Sequence, residues 1–132
     1  MKFQGGSGQI RKPIADHAQF LTTVLLQIID PAEEETHYWG DVPSGLRAID
    51  IWIGAAEDLG KGYGTIMMQL AIKHCFSIPS VNTILVDPLA TNVRAHRFYE
   101  RVGFRFVEQK RLGDDESDCF VFELRREDWV LL

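Results

Sequence analysis

Apolar and polar residues alternate along several segments of this chain, most regularly between Leu46 and Gly54. Such alternation is typical of a β-strand with two distinct faces. The two predicted faces carry Ile49, Ile51 and Ile53 on one side and Ala48, Asp50 and Trp52 on the other. Apolar and β-branched runs predict four further strands, at Thr22–Ile29, Val81–Val86, Phe104–Leu112 and Asp118–Leu124.

Two segments have the spacing of amphipathic helices instead. The first is Thr65–Ser77, with a predicted apolar stripe of Ile66, Met67, Leu70, Ala71 and Cys75. The second is Asn92–Val102, which is followed by Gly103, a residue that favours helix C-termini, and which carries Ala95, Phe98, Tyr99 and Val102 on one side. From Leu46 onward the order β-α-β-α-β-β predicts an α/β fold with mixed strand pairing.

Composition narrows the class of protein. With 132 residues, 45% of them apolar, the chain is long enough for one globular domain with a buried core. A net charge of −5 argues against nucleic acid or an anionic membrane as the main partner. Cys75 and Cys119 are too few for a disulfide framework and indicate core residues of a cytoplasmic protein. The four histidines lack the spacing of metal ligands, so no metal is predicted.

The segment Asp50–Thr65 joins the alternating strand to the first helix through glycines at every second position. Gly60, Gly62 and Gly64 leave backbone N–H groups uncovered at the start of that helix, where the helix dipole also favours an anion. Their spacing is not that of the dinucleotide fingerprint. Lys61 precedes the key glycines, so the Walker pattern is absent too. The segment therefore predicts a phosphate or pyrophosphate site of another kind.

Two motifs, LGKGYGT at Leu59–Thr65 and NVRAHRFYERVGF at Asn92–Phe104, resemble those of the GNAT superfamily of acetyl-CoA-dependent N-acetyltransferases. The resemblance covers Ile49 to Leu124. It implies a mainly antiparallel mixed sheet flanked by helices, acetyl-CoA as acetyl donor, and an acetyl-CoA-binding core at residues 46–125. The segments AIDIWIG, DPLATN and EEETHYWGD are most similar to the aminoglycoside 6′-N-acetyltransferase branch.

The resemblance also implies which residues hold the cofactor. Backbone N–H groups from Gly60 to Thr65 would bind the pyrophosphate, a set made of Gly60, Lys61, Gly62, Tyr63, Gly64 and Thr65. Leu59 stands where many relatives carry Gln or Arg, which removes a side-chain contact and leaves the backbone donors. The backbone of Ile51, Trp52 and Ile53 would contact the pantetheine arm, with Asn92 near it.

Two residues are candidates for acid–base catalysis. Asp is depleted in strands, and in the aminoglycoside branch an Asp in this strand removes the proton from the acceptor amine, a role that carries over to Asp50. The alternative for Asp50 is a carboxylate facing solvent at a strand edge or bulge. Tyr99 matches the general acid that reprotonates the leaving thiolate. The alternative for Tyr99 is a core-facing helix residue.

Other carboxylates and aromatic residues are candidates for the acceptor site. Asp87, at the end of a predicted strand, is a second carboxylate for a polycationic amine, although Asp-Pro also commonly ends a strand. The stretch Glu33–Asp41, with the rings of Tyr38 and Trp39 and the carboxylate of Asp41, predicts an acidic, aromatic lip for an amino-sugar. Its alternative is a solvated loop.

Residues 1–21 match the family poorly, and the first strand and helices of the fold are expected to be missing. This would leave the strand at Thr22–Ile29 near an open sheet edge and favours a homodimer, unless residues 1–21 fold back over that edge. Two functions stay open: an active N-acetyltransferase, and a truncated CoA-binding remnant without turnover. For an active enzyme the acceptor is a small amine such as an aminoglycoside, with a protein N-terminus or a siderophore hydroxylysine as alternatives.

Overall fold

A computed structural model describes residues 24–53, 62–113 and 116–129 of the chain. These residues form five strands and three helices. In chain order they are β1 (Val24–Ile29), β2 (Leu46–Ile53), α1 (Tyr63–Phe76), β3 (Thr83–Val86), α2 (Val93–Val102), β4 (Arg105–Leu112), β5 (Ser117–Arg125) and α3 (Arg126–Trp129). The predicted order from Leu46 onward is confirmed, and the short helix α3 is an element that the sequence pattern did not predict.

The strands form one sheet in the order β1-β2-β3-β5-β4. Only the pair β2–β3 is parallel among the described strands, and the other three pairs are antiparallel. The predicted mixed, mainly antiparallel sheet is therefore confirmed. Strand β1 lies at one edge, and the predicted residues Thr22 and Thr23 lie outside the described residues.

The register between β2 and β3 determines where a site can form. The two strands pair over three positions, and the last Cα pair joins Ala48 to Leu85. On its other side β2 pairs with β1 from Ala48 to Ile53. The second half of β2 thus extends beyond the last residue that is paired with β3, and the carboxyl ends of both parallel strands lie at the same end of the sheet.

The main core fills one face of the sheet, where α1 and α2 both pack. It contains Ile49 and Ile51 of β2, Ile84 and Val86 of β3, and the inner sides of both helices. On α1 the buried residues Met68, Ala71, Ile72 and Cys75 follow the spacing i, i+3, i+4, i+7.

The predicted apolar stripe of α1 is wrong at two positions. Ile66 and Leu70 are 54% and 59% exposed. Apolar residues surround most of this helix, so the sequence pattern does not determine which side faces the sheet. The buried side is set by contact with β1 and β2, which selects Met68 and Ile72 instead.

A second, smaller core covers the opposite face of the sheet. The segment 30–45 between β1 and β2 folds over this face and contributes Tyr38 and Trp39. These pack with Ala48 of β2 and with Leu112, Cys119 and Val121 of the hairpin. Both faces of β2 are therefore buried, which agrees with its two predicted rows of side chains.

Arg126 connects the end of β5 to the end of α1. Its guanidinium donates to the main-chain carbonyls of Phe76, Ile78 and Val81 at 2.6–2.9 Å, and it lies over the Phe76 ring at 5.0 Å. Carbonyls at a helix C-terminus lack partners within the helix, and the planar fork of arginine supplies several donors at once.

We expect Arg126→Ala to lower the free energy of unfolding by about 2–4 kcal/mol, because several charge-assisted hydrogen bonds are lost together. Urea unfolding measures this change. The matched control is Arg125→Ala next to it, whose exposed ion pair with Glu123 at 2.9 Å predicts a loss below about 1 kcal/mol. Equal effects for the two variants would contradict the assigned role of Arg126.

Candidate active site

The start of α1 has the features of an anion site. Gly62 is its N-cap with a φ of +85°, and neither a capping side chain nor an acidic residue occupies the first turn. The first helical hydrogen bond runs from the Ile66 N–H to the Gly62 carbonyl at 3.0 Å. The amides of Tyr63, Gly64 and Thr65 precede that bond, so they have no carbonyl partner within the helix.

Glycine is required at Gly62 by the backbone, because a positive φ disfavours residues with a Cβ. A Cβ built on Gly62 meets no atom of the described residues within 4 Å. A phosphate group fits such a place, since it needs close approach to main-chain donors. The predicted residues Leu59, Gly60 and Lys61 lie outside the described residues.

Two carboxylates stand at equivalent positions of the parallel strands. Asp50 lies two residues beyond Ala48, and Asp87 lies two residues beyond Leu85, its partner in the last β2–β3 pair. Asp50 is 2% exposed and Asp87 is fully buried. The alternative reading of Asp50 as a solvent-facing carboxylate at an edge or bulge is wrong, because β2 lies inside the sheet and pairs with β1 without a register shift.

Tyr99 of α2 is a phenol whose pKa is raised by burial and by the charges of both carboxylates. Its ring is fully buried in the main core, with edge contacts to Phe98 and Phe104 at 5.3 and 5.7 Å between ring centroids. Burial raises the pKa of Tyr99 well above its usual range, and the negative charges of Asp87 and Asp50 raise it further. Tyr99 is therefore a protonated phenol that is coupled to both acids.

Tyr38, predicted as a ring of the acceptor lip, instead contacts Asp87, which the sequence did not predict. It comes from the segment between β1 and β2, and its hydroxyl donates a hydrogen bond to Oδ2 of Asp87. Burial is the main cause that raises the pKa of Tyr38 above its usual range, and the charge and the hydrogen bond of Asp87 add to it. No local signal could have revealed this contact, since the two residues are 49 positions apart.

The predicted acidic, aromatic lip is wrong for its aromatic part. Trp39 is 5% exposed and belongs to the second core, as does Tyr38. Acidic neighbours in the sequence indicate a solvated stretch. The Tyr38 and Trp39 rings instead pack against each other edge to face, with 5.8 Å between their centroids. Asp41 is exposed and lies at the rim of a shallow cavity of about 280 Å³ that is also lined by His37 and Val42.

The remaining predicted cofactor residues occupy two places. Ile51 and Trp52 are buried in β2, and the backbone of Ile53 pairs with Val24. Asn92 is the N-cap of α2, and its side chain accepts a hydrogen bond from the Ala95 N–H at 3.2 Å. Asn92 thus has a structural role at the start of the helix that carries Tyr99.

No cluster of three or more His, Cys, Asp or Glu side chains suited to a metal ion occurs among the residues that the structure describes. In the same part of the chain, no helix is long and apolar enough to cross a membrane.

The chain is similar in sequence and in fold to several known proteins. A kanamycin resistance protein of Rhizobium radiobacter is 39% identical over 82 residues, which are 62% of this chain and 70% of that protein. Aminoglycoside N(6′)-acetyltransferase type 1 of Klebsiella pneumoniae is 40% identical over 72 residues, which are 54% of this chain but only 33% of that protein.

Among solved structures, aminoglycoside acetyltransferase AAC(6′)-Ib in complex with coenzyme A and kanamycin superposes with a TM-score of 0.72 at 26% identity. The match covers 80% of this chain and 61% of that one. A complex of AAC(6′)-Ib with ribostamycin and coenzyme A gives the same TM-score at 25% identity, over 81% of this chain and 59% of the other. The chain thus spans about three fifths of these solved chains.

The family model of the acetyltransferase (GNAT) domain matches residues 21–112 of the sequence. This range contains the strands β1–β4, the helices α1 and α2, and both carboxylates described above. Because this match covers more than half of the chain, the chain belongs to the GNAT acetyltransferase family.

Proposed function

We propose that this chain is an N-acetyltransferase that moves an acetyl group from acetyl-CoA to a primary amine of a small polycationic acceptor, such as the 6′-amine of an aminoglycoside. The observation that carries the proposal is the pair of buried carboxylates, Asp50 and Asp87, at equivalent positions beyond the last β2–β3 pair. Burial and the charges of both acids raise the pKa of the Tyr99 phenol. Two acids and an uncharged phenol suit the binding and deprotonation of an ammonium group.

The described part of the cofactor site fits a pyrophosphate group. The amides of Tyr63, Gly64 and Thr65, with the left-handed Gly62 before them, would hold it together with Leu59, Gly60 and Lys61. The backbone of β2 from Ile51 to Ile53 would lie along the pantetheine arm, near Asn92. When bound, acetyl-CoA supplies the thioester whose acetyl group is transferred.

Asp50 is the proposed general base. An aminoglycoside amine is protonated at neutral pH, so it must lose a proton before its nitrogen can attack a thioester. The Asp50 carboxylate is excluded from bulk water, and a buried carboxylate attracts an ammonium group more strongly than an exposed one. It would first bind the ammonium group and then accept its proton, directly or through a water molecule.

Tyr99 is the proposed general acid for the thiolate that leaves coenzyme A. In the free protein its phenol is held protonated by burial and by the charges of Asp87 and Asp50. A bound ammonium group would offset those two charges and so remove their part of the upward shift of the Tyr99 pKa. The acceptor itself would therefore make Tyr99 a better proton donor.

Asp87 and Asp41 are the proposed acceptor-binding acids. Asp87, the residue after β3, lies at the position equivalent to that of Asp50 in β2, and it is buried. Asp41 is an exposed carboxylate. Several acidic groups favour an acceptor with several positive charges. The net charge of −5 favours the approach of the same class of molecule.

The test is release of free thiol from acetyl-CoA in the presence of a panel of amines. The panel contains kanamycin, ribostamycin, a polyamine, a peptide with a free N-terminus and N-hydroxylysine. The proposal predicts turnover with the aminoglycosides. Turnover with another amine alone would reassign the acceptor, and binding of acetyl-CoA without any turnover would support the remnant that the sequence left open.

We also propose a homodimer for the intact protein, because β1 forms an edge of the described sheet. Edge strands are commonly covered by pairing with another chain. Light scattering at micromolar concentration is expected to give twice the chain mass. A folded, non-aggregating monomer of 15.0 kDa would exclude the dimer. The cytoplasmic location inferred from the two cysteines stays a prediction.

A further inference from the structure

Tyr38 provides a contact between the segment 30–45 and the buried acids. Its hydroxyl donates to Oδ2 of Asp87, while the Tyr38 side chain is 9% exposed and Asp87 is fully buried. A hydrogen bond in such a place is shielded from exchange with bulk water. It therefore restrains the carboxylate more strictly than a surface contact would.

The ring of Tyr38 is itself held in place by the fold of its segment. The His37 N–H bonds to the Glu34 carbonyl at 3.1 Å, and the Gly40 N–H bonds to the His37 carbonyl at 2.8 Å. His37 has a φ of +49°, a backbone conformation that fixes the direction of the chain just before Tyr38. The Trp39 ring packs against the Tyr38 ring edge to face.

This arrangement constrains an otherwise loose torsion. The terminal torsion of an aspartate side chain has a broad distribution, so a carboxylate without a fixed partner samples many orientations. Burial and the charge of Asp87 keep the Tyr38 phenol protonated, which keeps it a hydrogen-bond donor. A permanent donor on Oδ2 selects one orientation of the Asp87 carboxylate.

We propose that Tyr38 is a positioning residue, which orients the Asp87 carboxylate to receive the ammonium group of the acceptor. This inference rests on the proposed function and adds a specificity element to it. It also gives the segment 30–45 a task in acceptor binding that differs from the predicted exposed lip. The segment contributes through the buried Tyr38 hydroxyl, which holds the Asp87 carboxylate, and not through rings that contact the sugar.

The test is Tyr38→Phe, which removes the hydroxyl and keeps the ring. With kanamycin as the probe, we expect KM for the amine to rise about tenfold, the usual scale for a lost hydrogen bond to a charged group. The values of kcat and of KM for acetyl-CoA should change little. An unchanged KM for kanamycin in a variant that turns over would overturn the inference.

Two further variants separate positioning from packing. Val121→Ala reduces packing in the same second core without a polar contact, and it should lower stability but leave KM for kanamycin unchanged. In an Asp87→Asn background the effect of Tyr38→Phe on kanamycin binding should largely vanish, because the two residues act through one contact. Additive effects would show that Tyr38 acts by another route.

A double-mutant cycle on stability tests the contact without turnover. The Tyr38 hydroxyl donates to Asp87 in a buried place, so the losses of unfolding free energy in Tyr38→Phe and Asp87→Asn should not add in the double variant. Urea unfolding of the four proteins measures this. If no amine is acetylated, the proposed function fails, whereas additive losses would overturn the Tyr38 assignment separately.

Discussion

Asp50→Asn is expected to reduce kcat by roughly 100-fold or more at neutral pH, which is the usual scale for loss of a general base. Asparagine has nearly the same shape, so it should fit the buried position in β2, where Asp50 is 2% exposed. It cannot accept the proton of an ammonium group. The binding of acetyl-CoA should be almost unchanged, since the proposed donors for the pyrophosphate lie at the start of α1.

The matched control for Asp50→Asn is Asp118→Asn in β5. Asp118 has an exposed side chain that pairs with Arg111 at 3.4 Å, and its replacement should leave kcat unchanged. Thermal unfolding of both variants checks that each is folded. If Asp50→Asn were as active as the wild type, the base would be Asp87 or water, and the role of Asp50 would be wrong.

Gly62→Asp is expected to weaken acetyl-CoA binding by roughly 100-fold or more, because like charges placed together in a binding site cost several kcal/mol. At 100 times its dissociation constant, acetyl-CoA should stabilise the wild type by about 2.7 kcal/mol. The corresponding rise in melting temperature should vanish in the variant. Each protein is compared with its own unliganded state, since an aspartate at a helix N-terminus is by itself favourable.

The chain offers a matched control for the backbone effect of that substitution. Gly40 also has a positive φ, +75° against +85° at Gly62, and a Cβ there also meets no described atom within 4 Å. Gly40→Asp should therefore carry a similar conformational cost and keep the rise in melting temperature with acetyl-CoA. Equal losses in the two variants would assign the effect to backbone strain and would contradict the pyrophosphate site.

The sequence was informative where local chemistry is unusual. Asp50 is noticeable because aspartate is rare within strands, and the structure places it in a buried strand. The alternation in β2 and the order of elements after Leu46 were likewise predictable, because strand periodicity and turn residues are local signals. Asp87 was only ambiguous, since the Asp-Pro pair that follows β3 also ends many strands.

Other features depend on long-range packing and could not be predicted. The register that brings Asp50 and Asp87 to equivalent positions is set by the β2–β3 ladder, which no sequence pattern contains. The buried side of α1 was misassigned at Ile66 and Leu70, because apolar residues surround that helix. The sequence predicts Tyr38 as part of an exposed aromatic lip or a solvated loop, whereas the fold buries its ring and places its hydroxyl on Asp87.

The most direct test of the central claim is mass spectrometry of kanamycin after incubation with the chain and acetyl-CoA. We predict a product that carries one added acetyl group, formed by the wild type and almost absent with Asp50→Asn. The site of the added group, read from fragmentation, should be the 6′-amine. Unmodified kanamycin, recovered from a wild-type chain that demonstrably binds acetyl-CoA, would contradict the account.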